Sequence, residues 1–93
     1  MHNSRIDHVI DLGMTAYRSH LYEAAAERLQ KAVELDPDDW NARLFLGMSY
    51  LRGEKYIKAH SVFLSIGRQC PNHDLQDTAR GALELIEHRS VKD

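Results

Sequence analysis

Three kinds of side chain could carry chemistry in this chain: six His, one Cys, and 14 Asp or Glu residues. Two imidazoles on one helix face hold a metal when they stand four residues apart, as in His-Glu-x-x-His. His2, His8, His20, His60, His73 and His88 contain no such pair, so no metal site is expected. Their number has a different consequence. Protonating all six moves the net charge from −2 to +4, so solubility and partner binding should respond to pH near about 6–7. A nucleophilic Cys needs a neighbouring cation or base to stabilise its thiolate. Cys70 stands just before Pro71 with no such group placed beside it, and it reads as a structural thiol. The carboxylates read as solvated helix residues, with Asp38 or Asp39 as a cap. The chain has no Gly-x4-Gly-Lys phosphate loop and no Gly-x-Ser-x-Gly nucleophile turn. It is therefore expected not to be an enzyme and to need no cofactor.

Composition narrows the remaining classes. A chain of 93 residues buries roughly 60–65% of its unfolded surface, enough for one modest core. Its 43% hydrophobic and 28% charged residues are those of one soluble globular domain. One Cys cannot form an internal disulfide, and a free thiol suits a reducing compartment. A net charge of −2 offers no basic stripe for nucleic acid. The most apolar stretch runs from Leu44 to Leu51 between Arg43 and Arg52. A membrane span needs about 20 apolar residues, so no membrane is expected. The N-terminal residues, from Met1 through Arg5 to Asp7, lack the basic head and apolar run of a secretory signal. The expected location is cytoplasmic.

The residues left to explain are apolar, and they repeat. Residues 6–39 laid over 40–73, a shift of 34, match Leu12 with Leu46, Gly13 with Gly47, and Met14 with Met48. Arg18 matches Arg52, Tyr22 matches Tyr56, Ala25 matches Ala59 and Pro37 matches Pro71. Leu29 meets Phe63 conservatively. These matches fall on apolar positions and on residues that punctuate helices, which marks an internal repeat.

Each repeat reads as two helices. Ile6, Val9, Ile10, Gly13, Met14 and Tyr17 recur at helical spacing, predicting a helix over 5–18. Ser4 and Asp7 resemble a capping box at its start. Strong helix formers predict a second helix over 22–35. Glu27 and Lys31 support it as an i,i+4 pair, and Pro37 stops it. The second pair is predicted over 40–52 and 55–69, with Gly53 in the turn and Pro71 after the end. A fifth helix is predicted over 74–89 with Asp74 as its N-cap. Nothing reads as a strand, so the fold class is all-α. Gly13 and Ala25 are expected to face each other where two helices cross, as are Gly47 and Ala59. Tyr22, Leu29, Tyr56 and Phe63 fill the space beside them. A two-helix unit cannot bury both faces alone, so the units must stack.

These residues resemble the tetratricopeptide repeat, whose 34-residue unit carries Trp-x2-Leu-Gly-x2-Tyr, then Ala-x3-Phe, then Pro. The second unit reads Arg43-x2-Leu46-Gly47-x2-Tyr50, then Ala59-x3-Phe63, then Pro71. The first reads Val9-x2-Leu12-Gly13-x2-Ala16, then Ala25-x3-Leu29, then Pro37. The resemblance covers residues 6–73. It implies a single α-α superhelix of five helices: repeat one at 6–39, repeat two at 40–73 and a capping helix at 74–89. Ala16 departs from the family's Tyr. Ile66 departs from its Ala, which should widen the contact to the last helix. Arg80 and Glu84 stand at the Leu and Tyr positions of a third unit, so the last helix reads as a cap. Leu75, Ala79, Ala82, Leu83 and Ile86 would face inward. Gln76, Asp77, Arg80, Glu84 and Glu87 would face water.

The resemblance also implies that the first helix of each pair lines a concave side that contacts a partner. Those positions are Asp7, Ile10, Met14, Tyr17 and Arg18 in repeat one. In repeat two they are Asn41, Leu44, Phe45, Met48, Leu51 and Arg52, and Thr78, Ala82 and Leu85 extend them. The Lys and Asn set with which some family members grip a C-terminal carboxylate is absent. The expected partner-binding residues are Ile10, Met14, Tyr17, Leu44, Met48 and Leu51, with Arg18 and Arg52. Val9, Leu12, Gly13, Leu46, Gly47 and Tyr50 are left to the core. An apolar groove suits an amphipathic or extended segment of another protein. The expected function is protein–protein interaction, as an adaptor, chaperone or assembly factor. The alternative is a self-associating scaffold, a homodimer or larger homo-oligomer that buries the groove. Leu44→Asp with Met48→Asp is expected to abolish partner capture while leaving the fold intact.

Overall fold

A computed structural model describes residues 4–92. Its helices are α1 (Ser4–Arg18), α2 (Tyr22–Leu35), α3 (Trp40–Arg52), α4 (Tyr56–Gln69) and α5 (His73–Lys92). Each packs against the next, α5 also lies against α3, and α1 touches α3. No strand occurs among the described residues. The expected helix starts agree within one residue, and α5 runs on to Lys92 rather than ending at 89. The capping box expected at Ser4 lies outside the described side chains.

Side-chain acceptors set the starts of α3 and α5, whereas α2 and α4 follow Leu21 and Lys55 without a side-chain cap. Asp39 Oδ1 accepts the Ala42 N–H at 3.0 Å and opens α3. α5 departs from expectation. Asn72 Oδ1 accepts the Leu75 N–H at 3.1 Å, so Asn72 and not Asp74 caps it, because the helix begins one residue early. Gln76 does not face water as expected. It is half-buried, and its Nε2 donates to the Cys70 carbonyl at the end of α4, satisfying an orphan acceptor there.

The backbone turns recur 34 residues apart. Leu21 N–H donates to the Ala16 carbonyl at 2.9 Å, and Lys55 N–H to the Tyr50 carbonyl at 2.8 Å. His20 N–H reaches the Tyr17 carbonyl at 3.0 Å, and Glu54 N–H the Leu51 carbonyl at 3.1 Å. Both turns pass through the left-handed region, at φ 62° for His20 and 63° for Glu54. Gly53 does not take that role, since its φ is −82°. A left-handed non-glycine residue costs about 1–2 kcal/mol, and Gly relieves part of that. Glu54→Gly should therefore raise stability by up to about 1 kcal/mol. A thermal melt should shift upward by about 4–8 °C.

The core forms around the helix crossings. Ala26, Leu29 and Leu46 make one buried cluster. Phe63, Ile66 and Ala59 make the other with Ala79, Ala82 and Ile86 of α5. Tyr50 and Val62 pack against both, so the expected single core is two clusters joined through these residues. Burial pushes the Tyr50 hydroxyl pKa up. The free thiol of Cys70 is buried in the α4–α5 cluster. Ile66 is completely buried in the cluster that includes Ala79, Ala82 and Ile86 of α5.

The glycines show how the helices mesh. A Cβ on Gly13 would sit 2.8 Å from Leu29 Cγ, and one on Gly47 would sit 2.9 Å from Phe63 Cε1. The nearest neighbour is thus the large residue, not the expected Ala25 or Ala59. A bulky side chain fills the notch that the missing Cβ leaves, which is ridge-into-groove packing at its closest. Gly81 stands 34 residues beyond Gly47, yet nothing lies within 4 Å of its Cβ position.

Leu12 corrects another expectation. It is 37% exposed, whereas its counterpart Leu46 is 2% exposed. Leu46 packs on Ala26 and Leu29 of the preceding hairpin. No described hairpin precedes α1, so Leu12 has no such cover.

Candidate functional site

The ends of α3 and α5, with the starts of α2 and α4, enclose a groove of about 490 Å3. Met48 and Leu51 of α3 and Leu85 of α5 form its apolar part. Helical spacing puts Met48 and Leu51 on one face, since residues three apart are neighbours there. Leu85 is 64% exposed, the larger part of an apolar side chain left in water. Tyr22 and Tyr56, equivalent under the 34-residue shift, supply two phenols, and Arg52, Arg89 and Glu54 supply the charges.

Each arginine is held by a phenol. Arg52 Nε donates to Tyr17 Oη at 2.8 Å, and its guanidinium lies 5.8 Å from the Tyr17 ring centroid. Arg89 Nη1 donates to Tyr56 Oη at 2.6 Å, again with its guanidinium 5.8 Å from the ring centroid. The Tyr17 hydroxyl, and then that of Tyr22, favour the charged guanidinium and push the Arg52 pKa further up. Tyr17 is itself fixed edge-on against Phe45 at 5.6 Å and Tyr22 at 5.8 Å. The first hairpin thus braces the α3 side of the groove.

The expected binding residues divide. Met48, Leu51 and Arg52 line the groove together, and Tyr17 holds Arg52 from behind. Leu44 is half-buried and packs against the α4–α5 core instead. Ile10 and Met14 are half-buried on α1, and Arg18 is exposed there; none of the three lines this groove. Leu44 and Met48 both pack on the core, so the paired aspartates should cost stability as well as any binding. Tyr22, Tyr56 and Arg89 were not among the expected binding residues. The repeat signalled the tyrosines, which match at the 34-residue shift. Arg89 lies beyond both units, and no sequence signal marked it.

Among the described residues no three of His, Cys, Asp and Glu gather to hold a metal ion, and no helix is long and apolar enough to cross a membrane. Five helices packed in chain order, with turns and glycine notches recurring at 34 residues, define an all-α fold of the helical-repeat kind. No family model matches the chain, and no curated protein or solved structure matches it.

Proposed function

We propose that this protein is a tetratricopeptide-like interaction module that holds a segment of a partner protein in the groove between α3 and α5. The observation that carries the reading is Leu85, largely exposed and lining with Met48 and Leu51 a groove of about 490 Å3. Closing a partner's side chain over such a surface is favourable at roughly 25 cal/mol per Å2 of apolar area, less the costs of ordering and association. Two features favour the family reading: the Leu46-Gly47-x2-Tyr50 signature, and the seating of Phe63 on Gly47. The family's Trp position is Arg43, whose guanidinium lies 4.8 Å from the ring centroid of Trp40, so an aromatic ring still packs there. Adaptor, chaperone and assembly-factor roles all use such a groove, and the cytoplasm suits the buried free thiol of Cys70.

Leu85→Asp tests this directly. A carboxylate at an already exposed position should change stability by no more than about 0.5 kcal/mol. It should abolish capture of the partner that the unaltered protein retains from its own cells. Undiminished capture by the folded variant would remove the groove from the proposal.

A further inference from the structure

Two guanidinium groups stand at the groove, and both are bonded to neutral phenols. A guanidinium carries five N–H donors in a planar fork, and each of these bonds uses one of them. Among the described residues neither Arg52 nor Arg89 forms an ion pair, whereas Arg80 pairs with Asp77. Arg52 ends α3, where a cation would stabilise the helix by facing its terminal carbonyls. Its Nε is turned instead to Tyr17 of another helix. The phenols fix the direction of both forks without neutralising them. The groove carries Arg52 and Arg89 against Glu54, an excess of one positive charge in a protein whose net charge is −2. The same groove is lined by apolar surface from Met48, Leu51 and Leu85.

We infer that the segment held in this groove is acidic and apolar together, with side-chain carboxylates paired to Arg52 and Arg89 and aliphatic side chains seated on Met48, Leu51 and Leu85. The inference rests on the groove being the binding site, and adds the chemistry of its occupant. Carboxylate and guanidinium match in plane and in spacing, so the pairing is bidentate. The carboxylates belong to side chains, so a free C-terminus is not required. Desolvation by the apolar contacts strengthens the pairs, and charge complementarity selects the partner.

The test uses the full chain and capped peptides with amidated ends. Each peptide carries two Glu residues spaced one to four positions apart around Leu residues. Binding is read by fluorescence anisotropy. At least one spacing should bind, its Gln counterpart should bind about tenfold more weakly, and raising salt from about 50 to 500 mM should weaken only the Glu peptide. Arg52→Gln and Arg89→Gln should each remove most of the Glu-over-Gln preference while circular dichroism stays unchanged. Gln peptides that bind as well as Glu peptides, with binding lost in Leu85→Asp, would overturn the acidic assignment and keep the groove. Peptide binding unaffected by Leu85→Asp would overturn the groove reading itself. A failure of every peptide to bind would overturn the inference.

Discussion

Phe63→Ala should destabilise the protein by about 3–5 kcal/mol, enough to consume much of the about 5–15 kcal/mol expected for a small domain. Phe63 is completely buried and fills the notch of Gly47, where Cε1 and Cζ both come within 2.9 Å of the missing Cβ position. Removing the ring leaves a cavity between α3 and α4. The sharper result concerns Gly47→Ala. In the unaltered protein the added methyl meets a ring that is packed all round, at about 1–3 kcal/mol. In the Phe63→Ala background that clash is gone, and Ala gains about 1 kcal/mol of helix propensity over Gly. The same substitution should therefore destabilise one background and stabilise the other, read by denaturant melts in a double-mutant cycle. Gly81→Ala, with nothing within 4 Å, serves as the control and should stabilise. Additive effects of Gly47→Ala and Phe63→Ala would contradict the notch.

Leu44→Asp with Met48→Asp should lower stability by about 3 kcal/mol or more, through lost apolar burial and desolvated carboxylates. Both side chains are half-buried against the core that α4 and α5 share. A melting curve and far-ultraviolet circular dichroism should show the loss before any partner is added. Leu85→Asp should leave the same signals unchanged. The contrast separates side chains half-buried against the α4–α5 core from one left mostly exposed. An unchanged melt for the paired aspartates would mean that Leu44 and Met48 do not pack on the core that α4 and α5 share.

Much of the fold was legible in the residue order. The 34-residue shift from Leu12-Gly13 to Leu46-Gly47 reappears in paired backbone hydrogen bonds and in two left-handed turns. The glycines marked close crossings correctly. Reading the crossings as small-on-small missed that Leu29 and Phe63 fill the glycine notches, because spacing reports which face a residue occupies and not which knob fills a hole. Leu12 was misread because its pattern equals that of Leu46, while burial depends on whether another hairpin stands behind it. Within the groove, Met48, Leu51 and Arg52 were expected only through the resemblance, which implied that the first helix of each pair lines a concave side. Leu44 was expected beside them, but its loss to the core depends on how α4 and α5 pack together beside α3. Arg89 was missed because its role comes from meeting Tyr56 across 33 residues of chain, a juxtaposition that only packing creates.

The measurement that bears most directly on the groove is photo-crosslinking in the protein's own cells from a benzophenone side chain placed at position 85, compared with one at Ile57. Ile57 is 89% exposed on α4 and outside the groove. Crosslinks from position 85 to a distinct protein, mapped to an acidic and apolar segment and missing from position 57, are the result predicted. Crosslinks that arise from position 57 alone, or that join position 85 to a second copy of the chain, would contradict it.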